Sequence, residues 1–152
     1  MKKQALITGA TSGIGRATAL RLAAEGYDIT ATGRRAERLE TLRREIEAAG
    51  GRCTALVFDV RSEAEVRKFL SPLERVDLLI NNAGLAAGLE HIDQGDTADW
   101  DAMIDTNVKG LLYVTRVVTP KMVAAGGGHV FNIGSIAGTE DYENGAVYCA
   151  SK

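Results

Sequence analysis

Five short apolar runs recur along the 152-residue chain, QALIT, DITATG, RCTALVF, VDLLI and HVFNI, and a longer amphipathic stretch separates each from the next. Runs of this length, rich in Ile, Val, Leu and Thr, suit strands buried on both faces. The intervening stretches carry apolar residues at helical spacing, so each helix can return the chain to the start of a parallel neighbour. The alternation predicts βαβ units with right-handed crossovers and helices on both sides of one sheet.

The predicted strands are Gln4–Thr8, Asp28–Gly33, Arg52–Phe58, Val76–Ile80 and His129–Ile133. A first helix over Gly13–Glu25 presents Ala17, Leu20, Ala23 and Ala24 as its apolar positions, and Gly26 closes it as a C-cap glycine. A charged helix follows over Ala36–Ala49. Ser62 and Glu65 have the spacing of a capping box and open a helix that reaches Leu70. Asp96 or Thr97 caps a long helical region, Ala98–Ala125, in which Pro120 is expected to force a kink or a break. No linker or internal repeat divides the chain, so residues 1–152 are taken as one domain. The fold class is α/β, a doubly wound, Rossmann-like parallel sheet of five strands, where such domains have six or seven.

Eighteen basic and twenty acidic residues leave a net charge of −2 and no basic stripe, which argues against nucleic acid as a partner. The apolar runs are too short to span a membrane, and the start, MKKQALITGA, lacks the apolar stretch of a signal peptide. Cys53 and Cys149 are compatible with a disulfide or with two free thiols. Free thiols in a reducing cytoplasm are the expectation adopted. His91 and His129 have no partner at metal-ligand spacing, so no metal is expected.

In doubly wound sheets ligands bind beyond the carboxyl ends of the strands. Glycines and small polar residues follow all five runs: GATSGIG, GRR, DV, NNAG and GS. Gly9, Gly13 and Gly15 lie between the first strand and its helix. They let backbone amides approach a pyrophosphate that also meets the positive end of the helix dipole. Their spacing is G-x-x-x-G-x-G. At the end of the second strand stand Arg34 and Arg35, with no carboxylate beside them. Guanidinium groups there suit a 2′-phosphate, which selects NADP over NAD, with Arg34 as the principal contact. The alternative is that both arginines belong to a solvated, charged helix.

Thr8–Gly15 (TGATSGIG), Asn81–Gly84 (NNAG), Asn107, Ser135 and Tyr148–Lys152 (YCASK) together resemble the short-chain dehydrogenase/reductase family, in its order and spacing. ATGRRAERLE, NNAGLAAG, DWDAMIDTNVKGL and IGSIAG are further similar to its NADP-dependent 3-hydroxy acid (serine) dehydrogenase branch. The resemblance implies that Thr11, Ser12 and Ile14 join the three glycines at the cofactor. It implies that Asp59 and Val60 contact adenine, and that Asn82, Ala83 and Gly84 line the cofactor near its ribose. Ser135 would hydrogen-bond the substrate oxygen, Tyr148 would exchange a proton with it, Lys152 would hold the nicotinamide ribose, and Asn107 would hold a water of the proton path.

Chemistry supports these roles. A free phenol ionises near pH 10, and a neighbouring cation favours the phenolate. Four residues apart on a helix, Tyr148 and Lys152 share a face at about 5–6 Å between Cβ atoms. Cys149 points elsewhere. The implied activity is hydride transfer between NADP(H) and a secondary alcohol or carbonyl, a small 3-hydroxy acid being the first choice of substrate. A 3-oxoacyl-carrier-protein reductase and a non-catalytic nucleotide-binding module are the alternatives. Glu140, Asp141 and Glu143, between Ser135 and Tyr148, weigh mildly against an anionic substrate.

The family's pattern continues beyond a YxxxK lysine. The expectation is therefore that these residues are the N-terminal portion of a longer dehydrogenase, a homodimer or homotetramer at full length. Ending at Lys152, the chain should have a frayed last helix, exposed apolar surface, weak cofactor binding and little turnover.

Overall fold

The structure, a computed structural model, describes residues 2–152. Five strands form one parallel sheet in the order β3-β2-β1-β4-β5: β1 Gln4–Ile7, β2 Asp28–Gly33, β3 Cys53–Val57, β4 Leu78–Asn81 and β5 His129–Asn132. Strand order steps outward from β1 in both directions, so the switch point lies between β1 and β4, and their carboxyl ends open toward one crevice. The register sets Ile7 beside Ala31 of β2 and beside Ile80 of β4.

Strand alternation divides the core. Ala5, Ile7, Ile29, Ala31, Leu78 and Ile80 face α1 (Gly13–Ala24) and α2 (Ala36–Ala48). Leu6 and Leu79 point the other way, to Val66 and Leu70 of α3 (Glu63–Leu70) and Val114, Val118 and Met122 of α5 (Leu111–Ala124). The doubly wound expectation therefore holds.

Some local expectations need correction. On α1 the buried positions are Gly15 and Ala19, with Leu20, Leu22 and Ala23 packed behind them, while Ala17 and Ala24 are exposed. The helix turns Gly15 and Ala19 to the sheet, because it must approach β1 and β4 closely. Pro120 does not break α5. Pro120 and Arg116, whose carbonyl the missing N–H would have met, both lie on the exposed face. The irregularity falls earlier instead. After α4 (Thr97–Met103) the chain makes a π-helical segment, Ile104–Gly110, before α5 begins. Such a segment re-aims side chains within a continuous helix and is common at functional sites.

The capping box is half realised. Ser62 accepts from the Glu65 amide at 3.3 Å, but the Glu65 carboxylate reaches the Asp59 amide at 2.9 Å rather than its own cap. This ties α3 to the turn after β3. Gly26, at φ +89°, closes α1 as expected. The last helix, α6 (Ala146–Ser151), follows a short 3-10 turn over Ile136–Gly138. It is formed through Ser151 rather than frayed, for a reason the site makes plain.

Candidate active site

The carboxyl ends of β1 and β4 are latched by a single hydroxyl. Thr8 Oγ1 accepts from the Asn82 and Ala83 amides, each at 3.0 Å, and donates to the Ile80 carbonyl at 3.4 Å. Asn82 returns the contact, Nδ2 donating to the Thr8 carbonyl at 2.9 Å and the Gly9 carbonyl at 3.2 Å. The latch leaves no room under α1. A Cβ on Gly15 would stand 2.4 Å from Asn82 Nδ2 and 2.6 Å from the Gly9 carbonyl oxygen. The glycine-rich turn is thus a close approach of two backbones as well as a phosphate cradle.

Over this turn opens a cavity of about 300 Å³, reached by Gly9, Thr11, Ser12 and Ile14 from β1 and α1, and by Gly33, Arg34 and Arg35 from β2. Asp59 and Val60 after β3, and Asn82 to Gly84 after β4, complete its walls, whereas Gly13, Gly15, Tyr148 and Lys152, which the sequence reading also assigned to the cofactor, do not line it. Ser12 is the N-cap of α1, yet its hydroxyl accepts from none of the helix amides and takes Arg35 Nη2 instead, at 2.8 Å. The first turn of a twelve-residue helix therefore keeps its amides for another acceptor.

The two arginines differ. Arg35 also donates from Nε to Thr11 Oγ1 at 3.1 Å, so its guanidinium is committed to the turn. Arg34 is 60% exposed, and among the described residues it pairs with the Asp59 carboxylate at 3.9 Å, which corrects the expectation that no carboxylate stands beside the arginines. Burial pulls the Asp59 carboxyl upward, but hydrogen bonds from the Arg61 guanidinium and amide, with Arg34 behind, outweigh it and hold the group below the usual carboxylate value. An ionised Asp59, an exposed Arg34 guanidinium loosely paired with it and open helix amides suit a dinucleotide phosphate at one end and a base at the other.

The second cluster surrounds Gly84. A Cβ there would lie 3.2 Å from Asn107 Oδ1 and 3.6 Å from Lys152 Nζ, so the structure brings these three together. Asn107 comes from the π-helical segment. Its Oδ1 accepts from the Leu85 amide at 2.9 Å, and Nδ2 donates to the Leu85 carbonyl and to Ser151 Oγ, both at 2.8 Å. Lys152 Nζ donates to the Ile133 carbonyl at 2.7 Å. These bonds hold α6 against the sheet and account for its intact last turn. Both amide hydrogens of Asn107 are engaged, so a water in the implied proton path would have to use Oδ1.

Tyr148 lies one helical turn before Lys152 on α6, half-buried, in a small depression with Trp100, Met103 and Asn144. Ser135 begins the 3-10 turn, and its hydroxyl accepts from the Ala137 amide at 3.2 Å. Among the described residues no hydrogen bond joins Tyr148 to Ser135 or Lys152. The structure thus gathers Asn107, Lys152 and Gly84 tightly, and leaves Tyr148 and Ser135 on either side of the β5–α6 connection.

A family model described as short chain dehydrogenase matches residues 3–152. The chain belongs to the short-chain dehydrogenase family. An NADP-dependent 3-hydroxy acid dehydrogenase of Salmonella typhi is 45% identical over 151 residues, covering 97% of this chain and 60% of that protein. The structure of serine dehydrogenase from Escherichia coli matches with a TM-score of 0.91 at 43% identity, over 97% of this chain and 69% of that one. A closed form of serine dehydrogenase complexed with NADP+ matches with a TM-score of 0.92 at 44% identity, over 98% and 60%. The chain spans about 60% of the length of the curated relatives it matches.

Around this cavity, sequence reasoning did not single out Thr8, Phe58, Leu85 or Thr106. Thr8 ended a predicted strand and opened the TGATSGIG motif, but no role was read for it. Phe58 and Thr106 line the cavity, but an apolar run hides the first and an irregular helix the second. Cys53 and Cys149 are both free, and burial pushes the Cys53 thiol up to about 11, so it is unreactive at neutral pH. No helix is long and apolar enough to cross a membrane.

Proposed function

We propose that this chain forms the nucleotide-binding and proton-transfer part of an NADP(H)-dependent oxidoreductase that interconverts a secondary alcohol and a carbonyl, with a small 3-hydroxy acid as substrate. The observation that carries this reading is the cavity itself. It runs from the exposed Arg34 guanidinium, past an α1 N-terminus with no side-chain cap, to the Gly84 edge where Lys152 and Asn107 meet. The relatives named for NADP and 3-hydroxy acids support the cofactor and the substrate class.

When bound, NADP(H) supplies the hydride chemistry. The chain's own residues supply position and protons. The Gly9–Gly15 turn and the amides of α1 hold the pyrophosphate. Arg34, free of other strong partners, takes the 2′-phosphate, while Arg35 braces Thr11 and Ser12 beneath it. Asp59 and Val60 bound the adenine. Lys152, whose ammonium donates to the Ile133 carbonyl, would hold the nicotinamide ribose. Tyr148 passes a proton to or from the substrate oxygen, which Ser135 holds, and Asn107 fixes the Leu85 and Ser151 groups around them.

The protein acts in the cytoplasm as a homodimer or homotetramer. Free thiols support the compartment, and the exposed Leu112 and Val123 on α5 support assembly. Consumption of NADPH with a 3-oxo acid, by the protein expressed from its own gene, tests the reading. Tyr148→Phe should slow turnover by about 10²-fold or more while leaving NADPH affinity intact. Equal turnover by the variant would remove Tyr148 from the mechanism.

A further inference from the structure

The connection from β5 to α6 grips Lys152 at two points. The lysine's ammonium donates to the Ile133 carbonyl at 2.7 Å, where the connection begins. Gly138, which ends the 3-10 turn, lies against the lysine's backbone. A Cβ on Gly138 would stand 2.6 Å from the Lys152 carbonyl carbon and 2.7 Å from its oxygen. Gly138 does not adopt a positive φ, so the conformation of the turn does not call for glycine. The approach to Lys152 does.

Ser135 sits between the two grips and is bonded to the second. Its carbonyl accepts from the Gly138 amide at 3.0 Å, and its hydroxyl accepts from the Ala137 amide at 3.2 Å. Ala137 is buried, which anchors the turn in the fold. Ser135–Gly138 therefore moves as one piece, and the distance Gly138 keeps from Lys152 is passed on to the Ser135 hydroxyl. The contact joins two backbones, which cannot rotate aside as a side chain can. Carbon atoms rest about 3.5–4.0 Å apart, so one added methyl would part the turn from α6 by about 1 Å.

We propose that Gly138 is a positioning residue whose bare backbone sets the spacing between Ser135 and the helix that carries Tyr148 and Lys152. The inference rests on the oxidoreductase reading above and adds to it a residue that does not line the cavity. The substrate oxygen has to meet the Ser135 and Tyr148 hydroxyls together, so an error of about 1 Å between them falls on the reacting atoms.

Gly138→Ala, in the protein expressed from its own gene, tests this. Gly128→Ala is the control for strain beside β5, since a Cβ there would be 2.8 Å from Met122 Cγ, away from the cavity. Turnover of NADPH with a 3-oxo acid, titration with NADPH and thermal melting provide the readouts. Gly138→Ala should lower kcat about 10²-fold while NADPH affinity stays within about twofold of the parent. Gly128→Ala should keep the parent's kcat. On a Ser135→Ala background, adding Gly138→Ala should lower kcat by less than about threefold, because both act through one spacing. A parent-like kcat in Gly138→Ala overturns the positioning role. So does loss of its fold or of its NADPH affinity, or an undiminished further loss of kcat on the Ser135→Ala background. Absence of turnover by the parent overturns the oxidoreductase reading beneath it.

Discussion

β2 and β5 are both parallel strands of one sheet, yet five of the six residues of Asp28–Gly33 are buried and all four of His129–Asn132 are exposed. β2 lies between β1 and β3 under α1 and α2, whereas β5 forms the sheet's edge with Val130 and Phe131 open at 39% and 56%. The nucleotide end of the site grows from the buried side. Its turn is set by backbone approaches, the Thr8 latch and the Arg35 brace. The reacting end grows from the open side, where α6 is held by Asn107, Ser151 and Lys152 rather than by a core. Cofactor binding should therefore depend on packing that tolerates no change, and proton transfer on a few replaceable polar contacts.

The largest effect tests the rigid side. Gly15→Val would drive a side chain into Asn82 and the Gly9 carbonyl, and backbone cannot yield there, so no folded protein should be recovered at 25 °C. A soluble Gly15→Val protein with the parent's circular dichroism melt would break the comparison. A paired truncation sharpens it. Leu79→Ala, at 0% exposure in β4, should cost about 2–5 kcal/mol in urea unfolding. Phe131→Ala, in the neighbouring β5, should cost under about 1 kcal/mol because its ring is already wet. Equal costs would mean that the two strands are equally supported.

The smallest effect is electrostatic. The folded-state pKa of Asp59 is depressed, so its pairing stabilises above the unfolded value near 4 and the contribution is lost as pH falls through the lower folded value. Arg61 is partly exposed, which limits the pair to under about 1 kcal/mol. Asp59→Asn should therefore be slightly less stable than the parent at pH 7, and the two should converge once the pH has fallen below the lowered folded-state pKa of Asp59. A gap that persisted below that value would assign the effect to packing instead.

Much of this was legible because the sheet follows local rules. The five runs lay within two residues of the observed strands at every end, and the glycine turn announced the cavity before any coordinate did. The Gly13–Ala24 face was misjudged because alanine spacing carries little signal when the closest contact is made by glycine. The break expected at Pro120 does not occur, because tertiary packing of Val114, Val118 and Met122 carries the helix past it. The π-helical turn was illegible, since one extra residue leaves no mark on a 3.6-residue period, and with it went Thr106. Asn107 was recognisable only by resemblance, because its tethering to Leu85 and Ser151 joins residues 22 and 44 positions away.

The central claim is that the cavity after β1 and β2 selects a 2′-phosphorylated dinucleotide through Arg34. Titrating the protein with NADPH and with NADH, by the fluorescence of the reduced nicotinamide, tests it directly. The account predicts that NADPH binds at least about tenfold more tightly than NADH, and that Arg34→Ala removes most of that preference while leaving NADH binding unchanged. Equal affinity for the two nucleotides, or a preference that survives Arg34→Ala, would contradict it.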